Sequence, residues 1–177
     1  MPGTYCKVSD GEMREVLRQQ FCLDWSGAHG VEHWLRVREN GMRIARATGA
    51  DVLVVEAFAF LHDVCRESEG SDPDHGKRAA EFAGKIREEF LRLDDAAFAV
   101  LIEACAYHNT QNAPANMTVA TCWDADRLDL GRVGIKPDPR LLCTPYARER
   151  SVIDRAYAAS REARRRSRGK RGKRGRG

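Results

Sequence analysis

The chain has 177 residues, 42% of them hydrophobic, enough for one buried core and too few for a second sizeable domain. Its six cysteines are dispersed without a CxxC pair, no basic segment followed by an apolar one opens it, and no apolar run nears the roughly 20 residues that cross a bilayer. These features exclude a disulfide framework, a zinc ribbon and a membrane span, and predict a reduced, cytoplasmic setting.

Read in chain order, the elements are helical almost throughout. Over residues 12–25 the apolar Met13, Val16, Leu17 and Phe21 recur at helical spacing, and Gly27 and Gly30 break the segment. A second helix is predicted over 31–48, where Trp34, Val37, Ile44 and Ala47 alternate with Arg36, Arg38, Arg43 and Arg46 until Gly49 ends it. Asp51 is placed to cap the next segment, VLVVEAFAFLHDV, which is apolar nearly all round and so predicted to be the buried central helix. A loop rich in glycine and acids covers 67–74, and helices are predicted over 75–93, 95–108 and 119–130. A proline-bearing loop over 136–145 then precedes a last helix from about residue 146. The fold class is therefore all-α.

The net charge of +4 is unevenly divided. From Arg161 onward ten basic residues face a single acid, Glu162, so residues 1–160 carry 20 basic against 25 acidic groups. The expected division is one helical domain over 1–160 and a basic tail over 161–177. Residues 164–177, RRRSRGKRGKRGRG, offer nothing apolar to bury and repel one another, so they are expected to be disordered in isolation. Such a tail can make weak nucleic-acid contact through phosphate neutralisation, although no aromatic residue is interleaved to stack on a base.

Function is written in the histidines. Four of the five form an ordered series with two aspartates: His33, the pair His62-Asp63, His75, His108 and Asp126. Neutral imidazoles and carboxylates are the ligands that a catalytic metal takes from a protein. His62-Asp63 closes the most apolar segment of the chain, where an unpartnered carboxylate is costly to bury and a metal ion would satisfy it. Ligands drawn from separated segments leave positions open for water and substrate, which is the design of a catalytic site and not a structural one.

These residues resemble the HD-domain metal-dependent phosphohydrolases. The resemblance runs from about residue 29 to 134 and rests on His33 in GVEHWLRV, His62-Asp63 in FLHDVCRE and Asp126 in DADRLDLGRVGI. It implies a single helical HD-type domain with His33, His62, Asp63 and Asp126 as metal ligands; Asp124 is expected to point elsewhere. His75 in DPDHGKRAAEFA and His108 in ACAYHNTQN match the second-metal histidines of binuclear members, which implies one or two divalent transition-metal ions (Mn, Fe, Co, Ni or Zn) with Asp63 bridging a pair. The implied reaction is metal-hydroxide attack on a phosphomonoester or phosphodiester of a small phosphorylated substrate, a nucleotide above all.

Around that core, Arg66 supplies a cation three residues after Asp63, suited to holding phosphate and unsuited to acting as a base. Glu67 is expected to pair with Arg66 or orient water, and His29 to protonate a leaving oxygen. Arg127 is a secondary candidate for phosphate. Two other functions fit the same sequence. The ligand series is similar to that of di-iron oxygenases in the same superfamily, and a nucleic-acid-binding protein with a vestigial metal site would rely on the basic tail.

Overall fold

A computed structural model describes residues 11–110 and 113–174, with side chains through residue 165. Among the described residues eight α-helices appear in the order α1 (Gly11–Gln20), α2 (Val31–Thr48), α3 (Val52–Leu61), α4 (His75–Phe90), α5 (Asp95–Tyr107), α6 (Met117–Arg127), α7 (Pro145–Arg148) and α8 (Arg150–Arg174). Two single 3-10 turns, Leu130–Val133 and Pro139–Leu141, join α6 to α7, and no strand occurs among the described residues. The protein is all-α.

Helix α3 sits in the middle because its sequence leaves it no other place. Seven of its ten residues are buried, and α2, α5 and α6 pack around it. Its start is fixed by Asp51, whose carboxylate accepts from the backbone N–H groups of Leu53 (2.8 Å) and Val54 (3.3 Å). Helix α2 comes close enough to α3 that a Cβ on Gly41 would lie 2.5 Å from Val55 Cγ1. Trp123 of α6 is fully buried and ties α6 to α5 by donating from Nε1 to the Ala104 carbonyl at 3.0 Å. Helix α4 packs mainly on α5.

Several boundaries depart from the periodicity, each for a local reason. Helix α1 ends at Gln20, five residues before the expected Trp25. Beyond it Asp24 accepts from Ser26 N–H on its carboxylate (3.0 Å) and from Gly27 N–H on its carbonyl (2.7 Å), closing a turn in place of helix. Gly30 completes the reversal, since a Cβ there would stand 2.1 Å from the Trp25 carbonyl oxygen. Helix α3 stops at Leu61, and His62-Asp63 occupies the turn that follows, with Val64 N–H on Leu61 O and Arg66 N–H on Asp63 O. Helix α4 stops at Phe90 because Leu91 is extended and Asp94 begins a new cap, accepting from Ala97 N–H at 2.8 Å.

The expected single last helix is two. Thr144 caps α7, Glu149 breaks it in an extended conformation, and α8 then runs as helical backbone to Arg174, through the expected division at residue 160 and well into the basic segment. The end of that segment, residues 175–177, lies outside the described residues. The anchor of the α6–α7 connection is Asp124, buried and accepting from Cys143 N–H (2.7 Å), Thr144 N–H (2.7 Å) and Thr144 Oγ1 (2.8 Å).

The Asp51 cap supports the central helix and touches no histidine. Asp51→Ala is expected to lower stability by about 1 kcal/mol in urea denaturation while metal content per chain is unchanged.

Candidate metal centre

The ends of α3 and α5, the starts of α2 and α4 and the end of α6 meet at one place, and each brings a ligand. His33 enters from the first turn of α2, His62 and Asp63 from the turn after α3, His75 from the first residue of α4, His108 from the C-cap of α5 and Asp126 from the last turn of α6. Gly76 permits the approach of α4 to α5: a Cβ there would lie 2.5 Å from the Cys105 carbonyl and 3.2 Å from His108 Nδ1. All four histidines are buried.

Two overlapping donor sets result. In the first, His33 Nε2 lies 3.0 Å from His62 Nε2, 3.6 Å from Asp63 Oδ2 and 3.4 Å from Asp126 Oδ1. In the second, Asp63 Oδ1 lies 3.2 Å from His75 Nε2 and 3.9 Å from His108 Nε2, with the two imidazole nitrogens 2.8 Å apart. Asp63 gives one oxygen to each set.

The tautomers follow from what the other ring nitrogen touches. His62 Nδ1 meets the Phe58 carbonyl at 3.1 Å, His108 Nδ1 the Cys105 carbonyl at 2.8 Å, His75 Nδ1 the Asp72 carbonyl, and His33 Nδ1 the Asp129 carboxylate at 2.7 Å. An unprotonated oxygen only accepts, so each Nδ1 carries the proton and each Nε2 of a neutral ring presents a lone pair. Lone pairs facing each other at such distances repel unless a cation stands between them. Asp126 Oδ1 is buried without a hydrogen-bond partner among the described residues. Two ligands about 2.1 Å from one zinc-like ion lie roughly 3.0–3.4 Å apart, and the spans above lie near that range, so His33, His62 and Asp63 form one group that could hold a divalent ion, with Asp126 Oδ1 bordering it, and Asp63, His75 and His108 form another.

The family model of the HD domain matches residues 30–156. The chain belongs to the HD-domain family. A crystal structure of a predicted HD superfamily hydrolase from an uncultured Thermotogales bacterium is similar to it, with 27% identity and a TM-score of 0.65 over 90% of this chain and 91% of that one. No curated protein matches the chain. The buried His/Asp groups of this HD domain can hold metal.

Charge in the centre is strongly coupled. Burial drives the His62 pKa down to about 3 and lowers that of His108, keeping both rings neutral and able to ligate. Burial and Arg132 also push His33 down, but the carboxylates of Asp126 and Asp129 outweigh them and leave it raised. Burial alone would raise the carboxyls of Asp63 and Asp126; His62, His29 and His75 reverse this for Asp63, and His33 and Arg132 for Asp126, so both stay far below the ordinary carboxylate range.

The remaining expected site residues divide. Arg66 stands at the second donor set, with Nη1 3.6 Å from Asp63 Oδ1, and is held there by donating from Nε to Ser68 O (3.0 Å) and from Nη2 to Gly70 O (2.8 Å). His29 is buried with Nδ1 2.9 Å from Asp63 Oδ2 and Nε2 3.7 Å from Glu69 Oε2. Glu67 is not brought to the centre: the 67–74 loop turns it outward, where its exposed carboxylate sits 3.4 Å from Arg78 and not on Arg66. Arg127 is likewise turned away, donating to the Leu141 carbonyl and lying over the Trp123 ring.

Three residues at the centre escaped the sequence reading. Asp129 is fully buried and joins His33, Arg36 (2.7 and 3.0 Å) and Ser160 (2.5 Å). Arg36, three residues after His33, shares its helix face, which is the signal that could have found it. Arg132, on the 3-10 turn after α6, reaches within 3.7 Å of Asp126 Oδ1.

Two outcomes follow from this geometry. Asp129→Asn removes the charge that orients His33, so metal affinity in chelator competition is expected to fall about 10- to 100-fold, with stoichiometry preserved at saturating metal. In the metal-free protein, the unfolded chain protonates His62 near pH 6.5 whereas the native state resists until about 3. His62 and His108 therefore cost stability to urea as the pH drops below about 6.5, the raised His33 opposing them and the depressed carboxylates adding to the loss at lower pH. A midpoint that stayed level from pH 7 to 4 would contradict it.

Proposed function

We propose that this HD domain is a metal-dependent phosphohydrolase that cleaves a phosphomonoester or phosphodiester bond of a small phosphorylated substrate, in first place a nucleotide. The observation that carries the reading is the division of Asp63 between two histidine pairs, with the Arg66 guanidinium beside the same carboxylate. The residues that would hold the ions are His33, His62, Asp63 and Asp126 on one side and Asp63, His75 and His108 on the other. Such ions supply Lewis acidity: they neutralise charge on phosphoryl oxygens and make water acidic enough to attack near neutral pH.

The chain's own groups do the rest. Arg66 is fixed by two loop carbonyls, so its Nη1 presents a charged donor to a phosphoryl oxygen without reorganising as charge develops there. His29 donates from Nδ1 to Asp63, leaving its Nε2 on the side of the half-exposed Glu69. That pair can carry a proton between the centre and bulk water and so deliver one to the departing oxygen. The apolar Phe58 ring, stacked 4.9 Å from His62 and edge-on to His108, shields these ligands from competing water.

The test is hydrolysis of a nucleotide panel by protein loaded in turn with manganese, iron, cobalt, nickel or zinc. Asp63→Ala is expected to abolish turnover, because it removes a ligand from both donor sets, and unchanged turnover would sink the proposal. Arg66→Ala is expected to keep its metal and raise KM for the phosphorylated substrate by about tenfold or more. Turnover of an organic substrate only by the iron-loaded protein, and only with dioxygen, would put an oxygenase in place of the phosphohydrolase.

A further inference from the structure

Arg132 stands at the opposite end of the centre from Arg66 and is left with unused donors. Its side chain is 9% exposed, and its Nε and Nη1 are buried with no hydrogen-bond partner among the described residues. The backbone that carries it is held in place: α8 crosses the 3-10 turn so closely that a Cβ on Gly131 would lie 2.8 Å from Ser160 Cβ and 2.9 Å from Tyr157 Cδ2. Asp129, the nearby buried carboxylate, is already taken by Arg36, His33 and Ser160. Asp126 is the acid that faces Arg132, at 3.7 Å, and it belongs to the first donor set.

The charge balance makes that arrangement informative. The carboxylates of Asp63 and Asp126 cancel the guanidiniums of Arg66 and Arg132, so each divalent ion bound there leaves its full charge unmet. Once Asp126 is engaged by an ion, Arg132 faces a positive centre with its N–H groups still unsatisfied. A buried guanidinium in that state calls for an anion from solution.

We infer that Arg132 is a substrate-binding residue, donating from its Nε–Nη2 edge, the edge whose Nη2 faces Asp126, to an anionic oxygen on that side of the centre while Arg66 holds the Asp63–His75 side. This rests on the phosphohydrolase reading and narrows it. Two arginines and uncompensated divalent charge match a phosphoryl group with several anionic oxygens, so the terminal dianion of a phosphomonoester is favoured over a singly charged diester.

The experiment is calorimetric titration of inorganic phosphate into the manganese-loaded full chain and its Arg132→Met variant, with metal content and nucleoside monophosphate hydrolysis measured on the same samples. Metal content is expected to be equal and phosphate affinity about 10- to 100-fold weaker in the variant, the loss of charged hydrogen bonds. If Arg132→Met does not fold, Arg132→Lys serves, and should still bind phosphate at least about tenfold more weakly because a single ammonium cannot reproduce the Nε–Nη2 fork. Wild-type phosphate affinity in a folded variant, or loss of metal from it, overturns the assignment of Arg132 and leaves the hydrolase reading standing if the wild type turns over. A metal-loaded wild type that neither binds phosphate nor hydrolyses the monophosphates overturns both.

Discussion

Everything in this centre depends on one repeated interaction: a histidine whose Nδ1–H is spent on a fixed oxygen. Three of those oxygens are backbone carbonyls, of Phe58, Asp72 and Cys105, and the fourth is the carboxylate of Asp129. Carbonyls cannot titrate and cannot leave. The four Nε2 lone pairs are therefore aimed before any ion arrives, and the cost of crowding them is met by whatever cation they share. Asp63 at their midpoint gives one oxygen to each histidine pair, so each pair forms with it a group that could hold an ion.

The helical frame serves that aim. A near-fully apolar α3 takes the centre of the domain and then stops at Leu61, which delivers His62 and Asp63 on a turn where adjacent side chains converge instead of diverging by about 100° as they would within a helix. Gly41 brings α2 against α3, and Gly76 brings the start of α4 against the end of α5. Without those two close approaches His33 and His75 would stand too far from their partners. The α8 helix contributes from a distance: Ser160 holds Asp129, which orients His33.

Much of this was legible in the amino-acid sequence. Helical periodicity, the Asp51 cap and the all-round apolar run of α3 reveal an all-α chain with that helix inside, and the ordered His/Asp series picks out residues that the fold gathers into groups able to hold metal. What escaped was set by contacts between distant segments. Helix α1 stops at Gln20 because Asp24 and Gly27 close a turn that periodicity does not register. Glu67 looked like a partner for Arg66 by adjacency, yet the loop hands it to Arg78 and gives Arg66 two carbonyls instead. Asp129 and Arg132 follow Asp126 in DADRLDLGR as unremarkable surface charges; only the return of the chain through the 3-10 turn under α8 buries them beside His33 and Asp126.

In the proposed function one buried carboxylate, Asp63, serves two adjoining metal sites. Its most direct test is the metal content of the purified full chain before and after reconstitution, alongside the His75→Ala and His108→Ala variants. Two ions per wild-type chain, reduced to one in either variant, is the predicted result. One ion in all three proteins, or none after reconstitution, would rule out a carboxylate shared between two ions.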